Sequence, residues 1–199
     1  MRLVLITDSH GRGMVDMVSR YRPSWKVIII RVGRKTSAVS YLYDIELATI
    51  GRFQPTSFLV HLGHNDLSYH SVCNQQPMSI GEFMGILETF LLKIRIDFPQ
   101  SRIMYSSLLP RSVGPRMGFA QHLLYNLMVI SFADQARARM SSLGYDFVSN
   151  ESLWYSKQEG IEHPVFFGAD GLHLRAVGQE FIARGWIEAL EGLLGTHQR

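Results

Sequence analysis

Arg2-Leu3-Val4-Leu5-Ile6-Thr7-Asp8-Ser9-His10-Gly11-Arg12-Gly13 lies at the start of the chain and decides how the rest is read. Leu3 to Ile6 is an unbroken run of apolar strand formers, the pattern of a central parallel strand buried on both faces. It breaks abruptly into polar groups. Asp8, Ser9 and His10 therefore arrive together at the strand's carboxyl end, with Gly11 and Gly13 permitting a sharp turn. Open α/β sheets bind ligands at that edge. A serine delivered there is a candidate nucleophile, provided the chain also supplies a base and donors for an oxyanion.

Outward from this turn the pattern repeats. Lys26 to Val32 is a second apolar strand running into Gly33-Arg34-Lys35, and Ser57 to Leu62 is a third, emptying into Gly63-His64-Asn65-Asp66. Arg102 to Ser106 is a fourth, followed by Leu109-Pro110-Arg111, and Tyr145 to Val148 is a short fifth. Helices are predicted over 14–21, 38–52, 80–97, 119–142 and 176–194, with Pro23, Pro55, Pro99 and Gly144 among the stop signals. Strands alternating with helices at this spacing predict an α/β fold of right-handed βαβ units, a five-stranded parallel sheet covered by helices on both faces. The order 2-1-3-4-5 suits five such strands and puts the switch point between the first and third, where the Ser9 and Asn65 turns converge. Residues 149–169, carrying Trp154, Tyr155, Phe166 and Phe167, read as a wall or lid.

With 199 residues, 46% of them hydrophobic, the chain fits one domain over 1–199. Its formal charge of +3 comes from scattered basic residues rather than a tract, so direct nucleic-acid binding by this domain is not expected. The single cysteine, Cys73, can form no internal disulfide or thiolate metal site, which fits a reducing, cytoplasmic setting. No secretory signal is recognisable, and no stretch approaches the roughly 20 apolar residues that span a bilayer. Met1 directly before the first strand suggests a domain of a longer polypeptide.

Ser9 needs a base, itself oriented by a third group. Asp170 and His173, three residues apart on a tight turn, offer both: the carboxylate fixes the imidazole tautomer that leaves Nε2 facing Ser9. The Asn65 amide and the backbone N–H groups of Ser9 and Gly33 are the candidate oxyanion donors. Asp8 and Asp66 are read as bracing their turns, and His61 as a core or strand-end residue. Arg34, Lys35 and Arg111 are read as solvated surface residues, although their strand-end positions would let them meet an anionic substrate.

Asp8-Ser9, Gly33, Gly63-x-Asn65-Asp66 and Asp170-x-x-His173, in this order and at these places, resemble the four blocks of the SGNH (GDSL-like) hydrolases. The resemblance implies a flavodoxin-like three-layer α/β/α sandwich. It also implies ester hydrolysis through an acyl-enzyme without a cofactor, with Ser9 as nucleophile, His173 as base, Asp170 as its orienter, and Ser9, Gly33 and Asn65 as oxyanion donors. Thr7 stands where the family usually has Gly, and His10 replaces the common Leu. More narrowly, Leu62-Gly63-His64-Asn65-Asp66-Leu67, Ser107-Leu108-Leu109-Pro110-Arg111 and Asp170-Gly171-Leu172-His173-Leu174 resemble the esterase domains in the first open reading frame of some animal non-LTR retrotransposons. That implies neighbouring nucleic-acid-binding and self-associating segments in a longer polyprotein.

The expected function is a serine-dependent carboxylester hydrolase, an acetylesterase or lipase-like enzyme acting on a small ester or lipid. A metal-dependent phosphoesterase is the rival, because Asp8-x-His10 with His64-Asn65-Asp66 superficially resembles a two-metal ligand set. It fails on count, lacking Gly-Asp-x-x-Asp and His-x-His, so no metal is assigned. Gly11-x-Gly13 lacks the third glycine of a dinucleotide site, and no Gly-x-Ser-x-Gly elbow occurs. A non-catalytic binding module of a retroelement protein is the remaining alternative, against which Ser9, Asn65, Asp170 and His173 all speak.

Overall fold

The apolar runs do form strands. The computed structural model describes residues 1–32, 39–68, 77–111, 119–150, 166–171 and 173–195. Strands β1 (Arg2–Thr7), β2 (Lys26–Arg31), β3 (Ser57–His61), β4 (Arg102–Ser106) and β5 (Asp146–Val148) make one sheet. All pairings are parallel, in the expected order β2-β1-β3-β4-β5. Helices α1 (Met14–Tyr21), α2 (Val39–Phe53), α3 (Ile80–Asp97), α4 (Phe119–Ser142) and α5 (Ala176–Gly195) follow the predicted spans to within a residue at either end. At the start of α3 a reciprocal cap satisfies two end groups: Glu82 N–H donates to Ser79 Oγ (3.2 Å) and Ser79 N–H to Glu82 Oε2 (2.9 Å).

Successive strand side chains point to opposite faces, which divides the core in two. Leu3, Leu5, Leu59 and Met104 pack with Met14 and Val18 of α1 and Ile182 and Trp186 of α5. Val4, Ile6, Phe58, Val60, Ile103 and Tyr105 pack on the other face with Tyr43 of α2, Phe83 and Phe90 of α3 and Phe132 of α4. The result is the three-layer α/β/α sandwich. Each large apolar side chain buried this way contributes about 1.5–3 kcal/mol, so the sheet is a rigid base for the loops at its edge.

Those loops start level with one another, since Thr7 pairs with both Arg31 and His61 at the ends of β2 and β3. A 3₁₀ turn, Ser9–Gly11, follows β1, and Asp8 caps it by accepting from His10 N–H (3.0 Å). Thr7 shapes this turn. A Cβ on Gly11 would lie 1.9 Å from Thr7 Cγ2, so the threonine at the strand end is accommodated by the absence of a side chain at Gly11. After β3, Gly63 has φ +124°, and a Cβ there would meet Phe83 Cζ at 2.4 Å. Gly33, Arg34, Cys73 and the greater part of the expected lid, 151–165, lie outside the described residues.

Gly11→Ala is expected to destabilise the fold by about 1–3 kcal/mol through overpacking, and Thr7→Gly to relieve much of that loss in the double variant. Urea unfolding of the four proteins in the cycle measures the coupling; additive effects would show that the two positions do not compete for this space.

Candidate active site

Two separate imidazole–carboxylate pairs meet at the carboxyl edge of the sheet. The first is local. Gly168 N–H donates to His173 O (2.7 Å), Gly171 N–H to Gly168 O (3.0 Å) and Arg175 N–H to Phe166 O (2.8 Å), which ties 166–171 to 173–175. Phe167 and Leu174, bridged between these two segments, anchor them in the core beside α5. Between them, Asp170 accepts twice from His173: Oδ1 from the backbone N–H (3.0 Å) and Oδ2 from Nδ1–H (2.7 Å). The Oδ2 contact places a proton on Nδ1, so Nε2 is the ring nitrogen not engaged by Asp170. The His173 side chain is 43% exposed.

The second is buried, and in it one carboxylate holds two imidazoles and joins the loops after β1 and β3. Asp8, 1% exposed, accepts at Oδ1 from His10 Nδ1–H (2.9 Å) and at Oδ2 from His64 Nδ1–H (2.9 Å). The other face of His64 is also occupied, because Leu109 N–H donates to its Nε2 (2.8 Å). Burial opposes the charge on Asp8, but His64 and His10 more than offset it and hold the carboxyl well below its usual range. For His64, burial and the neighbouring His10 outweigh the attraction of Asp8, and the imidazole is pushed well down. The neutral Nδ1–H form is the tautomer its partners require.

His10 links the two pairs. Its ring lies 3.9 Å from that of His64 and 6.0 Å from that of His173, centroid to centroid. Ser9 precedes it and is part-exposed. Asn65, also part-exposed, follows His64 in a turn closed by Asp66 N–H (3.1 Å) and Leu67 N–H (3.0 Å) donating to Gly63 O. Asp66 is buried and its carbonyl accepts from Met78 N–H (2.8 Å).

Arg111 departs from expectation. Instead of a solvated side chain facing a substrate, it is buried, its guanidinium 4.2 Å from the Tyr125 ring centroid. Its Nη2 donates to Ser68 Oγ (2.6 Å) and His64 O (3.5 Å), and Asn126 of α4 holds its backbone at both N–H and C=O (3.0 Å each). The cause is α4, whose Tyr125 and Asn126 present an aromatic face and an amide to the strand end. His61 is also fully buried, and neither ring nitrogen has a hydrogen-bond partner. Burial, with the neighbouring His10, outweighs the attraction of Asp8 and pushes its pKa down to about 4.

His10, His61 and His64 offer ligand atoms within 4.8 Å of one another, the one cluster of metal-ligating side chains among the described residues. The donor set fits a metal ion poorly. Both nitrogens of His64 are committed, one to Asp8 and one to Leu109, so the third ligand becomes available only by breaking a buried hydrogen bond.

No family profile matches the sequence, and no curated protein matches it. Solved structures do. The lipase/acylhydrolase from Enterococcus faecalis is similar with a TM-score of 0.71 at 19% identity, over 96% of each chain. The GDSL-like lipase from Bacteroides thetaiotaomicron gives 0.69 at 14% identity, over 96% of this chain and 88% of that one. The chain has the GDSL-like hydrolase fold. An acetyl-xylooligosaccharide esterase from Geobacillus shares it, with a TM-score of 0.69 at 12% identity over 94% and 93% of the two chains. None of the described helices is long and apolar enough to cross a membrane.

The unpartnered His61 generates a stability test. An unfolded chain protonates this residue near its ordinary value of 6.5, whereas the folded one resists until about pH 4. The unfolded state thus binds more protons between these values, so stability is full above pH 6.5 and falls as pH drops through the window, by at most about 3 kcal/mol. His61→Leu should flatten this acid dependence and, by removing two unsatisfied nitrogens, cost little at pH 7.5. Urea unfolding at pH 4.5 and 7.5 measures both; an unchanged pH slope would show that His61 does not carry the effect.

Proposed function

We propose that this protein is a serine-dependent carboxylester hydrolase working through an acyl-enzyme, with Ser9 as nucleophile, His173 as base and Asp170 as its orienter. The observation that carries this reading is the doubly bonded Asp170–His173 pair, whose ring stands beside the ring of the residue after Ser9. In the first half-reaction Ser9 Oγ bonds to the ester carbonyl carbon while its proton passes to His173 Nε2. The carbonyl oxygen becomes an oxyanion, held by the Ser9 backbone N–H and the Asn65 side chain, with the Gly33 N–H as the donor read from sequence alone. The tetrahedral species then collapses, the alcohol departs with the proton from His173, and water repeats the steps in reverse order of partners. The substrate class is a small acetyl ester or a lipid ester, in keeping with the lipases and the acetylated-sugar esterase that share the fold.

On p-nitrophenyl acetate and butyrate, Ser9→Ala and His173→Ala should each lower kcat by on the order of 10⁶-fold, because both serve one step. Asn65→Ala should cost about 10²- to 10³-fold, the loss usual for one oxyanion donor. Activity should survive EDTA. A Ser9→Ala variant that turns over at the wild-type rate sinks the reading, and loss of all activity to EDTA would move it to metal chemistry.

A further inference from the structure

We propose that His64 is a positioning residue, a neutral crossbar that holds the Ser9 turn and the Asn65 turn in register by joining the loops after β1, β3 and β4. The inference deepens the serine-hydrolase reading and rests on it for its kinetic consequence. Four contacts converge on this one residue. Its Nδ1–H donates to Asp8, the neighbour of Ser9, and its Nε2 accepts from Leu109 N–H in the loop after β4. Its carbonyl accepts from Arg111 Nη2 (3.5 Å) and from Ser68 Oγ, and Arg111 is itself bound to Ser68 (2.6 Å). Asn65 is its immediate successor in the chain. The ring that is bonded to the neighbour of the nucleophile therefore belongs to the residue that immediately precedes the side-chain oxyanion donor.

The crossbar works in a single protonation state. A neutral ring with hydrogen on Nδ1 is donor to Asp8 and acceptor from Leu109 at once; a second proton on Nε2 would set it against the Leu109 N–H, donor against donor. The groups around it are Asp8 and His10 from the loop after β1, His61 from the end of β3, and Arg111 from beyond β4. Of these Asp8 alone favours protonation, and burial opposes it. A displacement of the oxyanion donor by about 1 Å can cost about 10²-fold in rate, so a broken crossbar shows itself in kcat while leaving substrate binding largely intact.

Two readouts test this, one independent of activity. In the ¹⁵N-histidine NMR spectrum of the wild type, His64 should remain the neutral Nδ1–H tautomer from pH 7.5 down to pH 5.5. His64→Phe, which keeps the ring shape and loses both bonds, should lower kcat roughly 10- to 100-fold with KM within about two-fold. Because His64→Phe leaves Asp8 short of a partner and risks the fold, His64→Gln is the second variant. Its amide supplies one donor and one acceptor and should recover most of the lost kcat. A His64 that titrates near its ordinary value, an Nε2–H tautomer, or a His64→Gln protein no more active than His64→Phe would each overturn the proposal. A neutral Nδ1–H His64 in a protein that hydrolyses no ester would support the crossbar and overturn the hydrolase reading alone.

Discussion

One buried carboxylate organises the carboxyl edge of this sheet. Asp8 accepts three N–H bonds, two from His10 and one from His64, at a position with almost no access to water. An isolated carboxylate there would cost several kcal/mol, so the loops must bring it donors, and the donors must come from more than one loop to saturate both oxygens. That demand is a physical reason for the Ser9 and Asn65 turns to sit side by side. The convergence expected of a parallel sheet at its switch point supplies the neighbourhood, and the Asp8 network supplies the register within it.

The surrounding residues fit this constraint rather than a generic version of the fold. Thr7 and Gly11 are complementary, bulk at one and none at the other, which sets the path of the 3₁₀ turn that carries Ser9. His10 follows from the same network: its backbone and ring both point into Asp8, and its ring then lies between those of His64 and His173. His61 is left as the unsatisfied member, wedged against Trp186 with two unpartnered nitrogens. Such a group lowers stability at acid pH, and the pair of well-packed cores on the two faces of the sheet offsets it.

Much of this was legible in the sequence because it depends on local pattern. The five apolar runs, the helical spacing between them and the proline and glycine stops located the five strands and the five α-helices of the described residues, since burial on both faces of a parallel sheet leaves little choice of residue. Asp170 and His173 were legible as a pair because three residues on a tight turn bring them together whatever the rest of the chain does. The Asp8–His64 bond joins residues 56 positions apart, and it exists because β1 and β3 are sheet neighbours ending level; a histidine at a loop position says nothing of that by itself. The signal available was a second polar cluster at the end of a strand expected beside β1. Arg111 was misread for a related reason. Arginine favours the surface unless something receives it, and what receives it is the Tyr125 ring and the Asn126 amide on a helix turn more than a dozen residues later.

The most direct measurement is covalent labelling of the intact protein with an alkyl fluorophosphonate, followed by mass spectrometry of the whole chain and of its peptides. Activated serines attack phosphorus and ordinary ones do not. The expected result is one phosphonyl group per chain, carried by Ser9, with ester hydrolysis lost in proportion to labelling. An unlabelled chain that still hydrolyses esters, or a label on any other residue, would contradict the assignment of Ser9 as the nucleophile.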